Sequence, residues 1–355
     1  MSLFKKFWRS TRRPTPSKQE AALGCLLGAC VGDAAGATLE FLGHQPTPDE
    51  VDKAVRMPGG GVLRVAPGQI TDDGELTLCL ARALSASRQF DSEAIARQYA
   101  EWVRSKPFDI GFTTRRSLGC FHEDYGSFQE DGYFRSVCEQ QGYAAAMRES
   151  AAKYCMGSKA NGALMRIAPL GVWGYRRDID ELADYARQDS SLSHPEESCW
   201  QASACYVIAI ASLIDRPGDR SRAFERAEQW AERQANTEVR GWLNNARQQV
   251  EAPYVPQIGF VRIAFAHAFR HLLLGSDYVS ALKETLAGGG DTDTNACIVG
   301  GLIGAACGVS QIPDEMLQPV LSCDTRQGAY ERPDFLSAGQ LPALVEALLV
   351  QSGAE

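Results

Sequence analysis

The sequence predicts an all-α protein organised as one compact helical domain, and three observations lead there. Apolar residues recur at helical spacing over long segments, as at Leu76, Leu80 and Leu84, or at Ile263, Ala266, Phe269, His271 and Leu273–Leu274. Alternating, strand-like patterns are scarce. Glycines recur every four residues in two apolar stretches, Gly24, Gly28, Gly32 and Gly36, and again Gly300, Gly304 and Gly308.

The first segment, "MSLFKKFWRSTRRPTPSKQ" (1–19), carries six Lys or Arg and no acid. It reads as a basic, flexible extension ahead of a domain spanning 20–355. An interfacial helix is a second reading, and an arm that inserts into an acidic partner is a third. Removing this segment from the total leaves 30 basic against 44 acidic residues, a net charge of −14. So acidic a body argues against nucleic-acid binding, which needs a positive surface. No uninterrupted apolar run of about 18 residues and no signal-peptide pattern occurs, so the expectation is a cytoplasmic protein with no membrane partner. Eleven cysteines without a CxxC pair read as small buried hydrophobes.

In "LGCLLGACVGDAAGATLEF" the glycine series ends one step before Glu40. A glycine inside a helix costs about 1 kcal/mol relative to alanine, so a series of them predicts helices packed at backbone contact. Beyond this helix, functional loops are expected at roughly 43–70, 105–115, 150–165, 188–198 and 286–294.

Two of these loops run into helices through the same grammar. "QITDDGELTLCLARAL" places Thr71, Asp72 and Asp73 before an apolar helix, and "AGGGDTDTNACIVGG" places Asp291, Asp293 and Thr294 before another. Taken singly, each is a helix N-terminus at which Thr or Asp caps free N–H groups. Capping needs one side chain, however, and each cluster holds paired aspartates. If both converge with Glu40, five carboxylates share one site, and each like-charge pair at about 4 Å opposes the others by roughly 4 kcal/mol at an effective dielectric near 20. Two divalent cations would neutralise them. Oxygen donors without His or Cys select hard ions, Mg²⁺ or Mn²⁺. The P-loop, dinucleotide, zincin, serine-hydrolase and EF-hand patterns are all missing.

With these residues in place the sequence resembles the ADP-ribosylglycohydrolase family. The matching segments are "GCLLGACVGDAAGATLEF" (24–41), "ITDDGELT" (70–77), "FDIGFTTRRSL" (108–118), "NGALMRIAPLG" (161–171), "SHPEESCWQASACY" (193–206) and "GGDTDTNACIVGGLIGA" (289–305). The resemblance implies an all-α fold with two Mg²⁺ or Mn²⁺ ions held by Thr71, Asp72, Asp73, Asp291, Asp293 and Thr294, with Glu40 beside them. It implies catalytic roles for Glu40, Asp72, Asp73 and Asp291. Asp33, Asp109, Gly111, Asn161, Gly162 and His194 are implied at the substrate, Asp109 having a structural alternative as a loop cap and His194 one as a helix-start residue. Gly74 stands where the family often has Thr, and "KANGAL" stands where it often has Gly before Asn.

The expected activity is removal of ADP-ribose from a modified protein side chain, with arginine the first acceptor to consider; on the third reading of the basic arm, its acidic partner would be an ADP-ribosylating toxin. A binding-only descendant, a two-metal phosphoryl-ester hydrolase and a hydrolase of another ADP-ribose conjugate are the rivals. Phe108, Phe112, Tyr154 and Tyr254 are candidates to stack adenine or simply to pack.

Overall fold

A computed structural model describes residues 15–119 and 132–353. Most of residues 1–19 therefore lies outside the described residues. The described part of that segment is ordered into the fold: Ser17 and Glu20 form a reciprocal capping box, and the first helix begins at Lys18.

Seventeen α-helices make up the described chain, with four short 3-10 turns. No sheet forms among the described residues; two isolated bridges, Gly60–Val65 and Ala160–Phe260, are the only strand-like pairings there. One hydrophobic core runs through the helices. Leu76, Leu80, Leu84 and Phe269 are buried in it, and Ile263, Ala266 and His271 are buried as well, but Leu274 at the end of the same apolar pattern is exposed. The cysteines in the described residues are free thiols, mostly buried.

The two glycine-bearing helices, Lys18–Gly36 and Thr292–Cys307, form the centre of the core. They run antiparallel at backbone contact. A Cβ added to Gly24 would lie 2.3 Å from the Gly304 carbonyl oxygen, one on Gly28 2.5 Å from that of Gly300, and one on Gly32 2.1 Å from that of Ala296. Only the missing side chains permit this approach. Tyr278 and Tyr206 fasten the pair by donating to the Gly28 carbonyl at 2.7 Å and the Ile298 carbonyl at 2.8 Å.

The third core helix, Glu197–Asp215, is long and apolar enough to cross a membrane by length and composition, yet 89% of the relevant window is covered by protein. It serves as a core helix.

The expected loops carry short helices as well: Pro48–Ala54 sits within 43–70, and Phe112–Ser117 begins inside 105–115. The remaining stretches connect helix ends around one end of the glycine-packed pair, where the site forms.

Candidate active site

The antiparallel packing fixes which residues meet. At its last step a Cβ on Gly36 would lie 2.4 Å from the Asp293 Cα, so the end of the first helix presses against the start of Thr292–Cys307. Asp33 and Glu40, on either side of Gly36, are thereby brought to the two acidic helix starts.

Neither start is capped by its own N-cap side chain. Thr71 precedes the Asp72–Ser85 helix and Asp291 precedes Thr292–Cys307, and neither side chain bonds to its own first turn. The capping comes from outside. Asp33 accepts from the Thr71 N–H at 3.0 Å, the Thr71 hydroxyl at 2.7 Å and the Gly74 N–H at 2.8 Å. Glu40 accepts from the Thr292 N–H at 2.7 Å and the Thr292 hydroxyl at 2.8 Å. Two acids from the end of one helix thus satisfy two other helices; within the second, Asp293 Oδ1 also accepts from the Thr294 N–H at 2.8 Å, which leaves its Oδ2 facing the site.

These side chains interlock across the two clusters. Thr71 Oγ1 lies 3.3 Å from Asp73 Oδ2 and 3.4 Å from Asp293 Oδ2, while Thr294 Oγ1 lies 3.3 Å from Asp73 Oδ2. Two carboxylate sets, Asp33–Asp73–Asp293 and Glu40–Asp291–Asp293, each bring one oxygen per residue within 4.8 Å of the others. They share Asp293.

The donor set fits hard cations. The Thr71 hydroxyl has one proton, already given to Asp33, so its lone pairs face two carboxylates with nothing positive between them. Asp73 Oδ1 is buried without a hydrogen-bond partner. Every atom here is oxygen, and both observations are what a Mg²⁺- or Mn²⁺-like ion would resolve.

The electrostatics point the same way. Burial, then repulsion from neighbouring carboxylates, pushes Asp72, Asp73 and Asp293 far above the usual carboxylate range. Burial raises Asp33 and Glu40 to about 7, the second helped by Asp291. Asp109 is pushed up to about 6 by burial and then Asp291, which brings it into the same field.

Asp109 and Asp291 are half-buried and Gly111 is exposed, so this side of the site meets solvent. Asn161 is buried and donates to Asp291 Oδ2 at 2.8 Å. Gly162 follows, backed by a side chain on which it has no room for a Cβ: one would lie 2.8 Å from His194 Cε1.

Two residues expected at the substrate are placed otherwise. Asp33 is fully buried and spends its carboxylate on Thr71 and Gly74, beneath the ligand oxygens. His194 is buried behind Gly162, with Nδ1 2.9 Å from Ser193 Oγ, and burial with the Arg166 guanidinium holds it neutral, lowered to about 3. Of the aromatics, Phe108 stacks on Tyr330 and Tyr254 on His267, so both pack. Phe112 and Tyr154 are exposed, with Arg116 over both rings.

Sequence reading missed three contributors. Thr292, inside the quoted DTDT run, is the partner of Glu40. Arg166 pairs with Asp189 in full burial and donates to the Gly162 carbonyl, while Tyr99 donates to Asp189 at 2.7 Å. Arg332 donates to both oxygens of buried Glu75, at 2.7 and 2.9 Å, one turn from the TDD cluster.

A cavity of about 540 Å³ adjoins the cluster and is lined by Glu40 and Thr292 among others. Another, of about 460 Å³, lies along Glu75 and Arg332 and touches none of the clustered aspartates.

Comparison with known proteins places this arrangement. A family model described as ADP-ribosylglycohydrolase matches residues 14–350. An ADP-ribosyl-dinitrogen reductase glycohydrolase from Rhodospirillum rubrum is 30% identical over 307 residues, covering 85% of this chain and 90% of the relative. An ADP-ribosylarginine hydrolase Tri1 from Pseudomonas putida is 26% identical, covering 88% and 78% of the respective chains. A solved structure titled as an ADP-ribosylglycohydrolase-related protein complex superposes with a TM-score of 0.69 over 95% of this chain and 99% of its own at 24% identity, a likeness of fold.

Proposed function

The chain belongs to the ADP-ribosylglycohydrolase family, and we propose that it removes ADP-ribose from arginine side chains of modified proteins with the help of two divalent cations. As a member of that family it is a hydrolase of ADP-ribose linkages. The observation that carries the cation-dependent reading is the pair of carboxylate sets joined at Asp293. Thr71, Asp72, Asp73, Asp291, Asp293 and Thr294 would hold the ions, with Asp33 and Glu40 bracing them.

Bound there, Mg²⁺ or Mn²⁺ would fix ribose hydroxyls and lower the pKa of a water. The reaction exchanges one bond for another: water oxygen joins the anomeric carbon, the C–N bond to the guanidine breaks, and a proton passes to the leaving nitrogen. Breaking that bond gathers positive charge on the sugar, which the surrounding carboxylates stabilise. Asp291, half-buried and oriented by Asn161, stands where a proton can move between the site and solvent. Half-buried Asp109, and the Glu40 oxygen that Thr292 does not use, offer carboxyl oxygens to the N–H groups of a leaving guanidinium, which favours arginine. The Pseudomonas putida relative, an ADP-ribosylarginine hydrolase by name, supports the same acceptor. The partner is then an ADP-ribosylated protein, and the reaction undoes the work of an ADP-ribosyltransferase.

The test is ADP-ribose release from arginine-modified and serine-modified protein, with Mn²⁺ or Mg²⁺ and with chelator, beside an Asp72→Ala, Asp293→Ala double variant. Release from the arginine conjugate alone, abolished by chelator and by the double variant, is expected. Release from the serine conjugate alone would move the acceptor, and no release by folded, cation-loaded protein would sink the reading.

A further inference from the structure

The cavity beside Glu40 has a composition that says which part of a substrate it suits. Its walls include Phe41, Val255 and Ile258, exposed at 58%, 57% and 55%, and the backbone of Gly288–Gly290. Side chains this apolar and this open, gathered in one hollow, are unusual on a solvated surface and mark a place where apolar groups are received. Phe41 is held there at some expense: its φ of 60° lies in the left-handed region, which a phenylalanine rarely adopts. That backbone follows directly on Glu40, whose carboxylate is tied to Thr292.

The charge pattern chooses the occupant. No Lys or Arg lines the cavity; its one carboxylate is Glu40, and its histidine, His44, is engaged with the Leu42 carbonyl and Glu50. A nucleoside diphosphate carries two negative charges and needs cationic or N–H-rich walls, so this hollow opposes it. On the side of Gly111 and Gly162, Arg116 lies over the Phe112 ring, in the helix whose Thr114 side chain backs Gly162, while Lys159 nearby is paired with Glu196 and Glu238. A polypeptide next to a modified arginine has the opposite character: a cationic leaving group for Glu40 and apolar neighbours for the hollow.

We propose that this cavity is the acceptor subsite, binding an apolar residue that flanks the ADP-ribosylated side chain in the substrate protein. The inference rests on the proposed removal of ADP-ribose from protein arginine. It makes the chain selective for sequence around the modification, because Phe41, Val255 and Ile258 contact residues that the small conjugate ADP-ribosyl-arginine lacks.

The experiment compares three substrates with full-length, Mn²⁺-loaded protein: ADP-ribosyl-arginine, an ADP-ribosylated peptide with leucine on both sides of the arginine, and the same peptide with serine there. The leucine peptide should be cleaved with a kcat/KM about 10-fold above the serine peptide, the discrimination one apolar contact supplies. In Ile258→Ser and Phe41→Ser that ratio should fall towards 1, and in Ile258→Val it should persist. Because the ratio is taken within one protein preparation, partial unfolding of a variant cancels from it. A ratio near 1 in the unaltered protein, or one that the serine variants leave in place, overturns the subsite while leaving hydrolysis standing. Failure to cleave any of the three substrates overturns the arginine reading and this inference with it.

Discussion

Replacing Gly36 by alanine tests whether the glycine-packed helix pair sets the geometry of the site. The new Cβ would lie 2.4 Å from Asp293 Cα and 2.5 Å from the Asp293 backbone nitrogen. Carbon contacts settle near about 3.5 Å, so the first turn of Thr292–Cys307 must withdraw by roughly 1 Å. Overpacking of this kind costs about 1–3 kcal/mol, offset by about 1 kcal/mol of improved helix propensity. At roughly 2.1 cal/mol/K per residue over 355 residues, the net of about 0–2 kcal/mol lowers Tm by at most about 3 °C. The effect on catalysis is much larger, because about 1 Å of misplacement costs on the order of 100-fold in rate.

Gly304→Ala is the control. It creates as severe a clash, 2.0 Å from the Gly24 carbonyl oxygen, but eleven residues beyond Asp293, roughly 16 Å along the helix. Thermal melts and kcat/KM for ADP-ribose release should show similar small losses of stability in the two variants and a loss of activity of about 100-fold in Gly36→Ala against less than about 5-fold in Gly304→Ala. Equal activities in the two variants would refute the claim that the helix pair positions Asp293.

Two further outcomes follow from the charges. In metal-free protein, Asp33 and Glu40, raised to about 7, and Asp109, raised to about 6, hold protons longer in the folded chain than in the unfolded one. Their contribution is therefore complete below the ordinary carboxylate range near pH 4 and is lost as pH rises through 6 to 7. Urea melts of chelated protein should lose stability from pH 5 to pH 8, and saturating Mn²⁺ should remove that trend, since the ions compete with protons for the same oxygens. A flat or rising profile without metal would count against the buried cluster. Arg332→Ala leaves Glu75 buried without its cation, a loss of about 3 kcal/mol that corresponds to a fall in Tm of about 4 °C, measurable by calorimetry; Tm within 1 °C of the parent would show that the pair is dispensable.

Much of this site was legible because the local grammar was redundant. Paired aspartates at two helix starts could not both be caps, and in the structure neither N-cap side chain caps its helix. The four-residue glycine spacing carried a geometric meaning by itself, since only backbone contact compensates so many helix-interior glycines, and the register it imposes sets Gly36 against Asp293. What stayed hidden were partnerships with no local signature. Glu40 looked like a catalytic side chain, yet its oxygen is occupied by Thr292, a residue 252 positions away. Arg332 and Glu75 are separated by 257 positions, and nothing near either announces the other. Asp33 and His194 were read as substrate contacts because a motif locates a residue in the chain, whereas depth beneath the surface depends on how the helices pack around it.

Titration of Mn²⁺ into metal-free protein, followed by calorimetry for the parent and for Asp293→Asn, tests the central claim most directly. Asp293 belongs to both carboxylate sets. The parent should bind two ions, and the single substitution should weaken both sites together. No binding by the folded parent, or two sites of unaltered affinity in Asp293→Asn, would contradict the two-cation centre on which the account of hydrolysis depends.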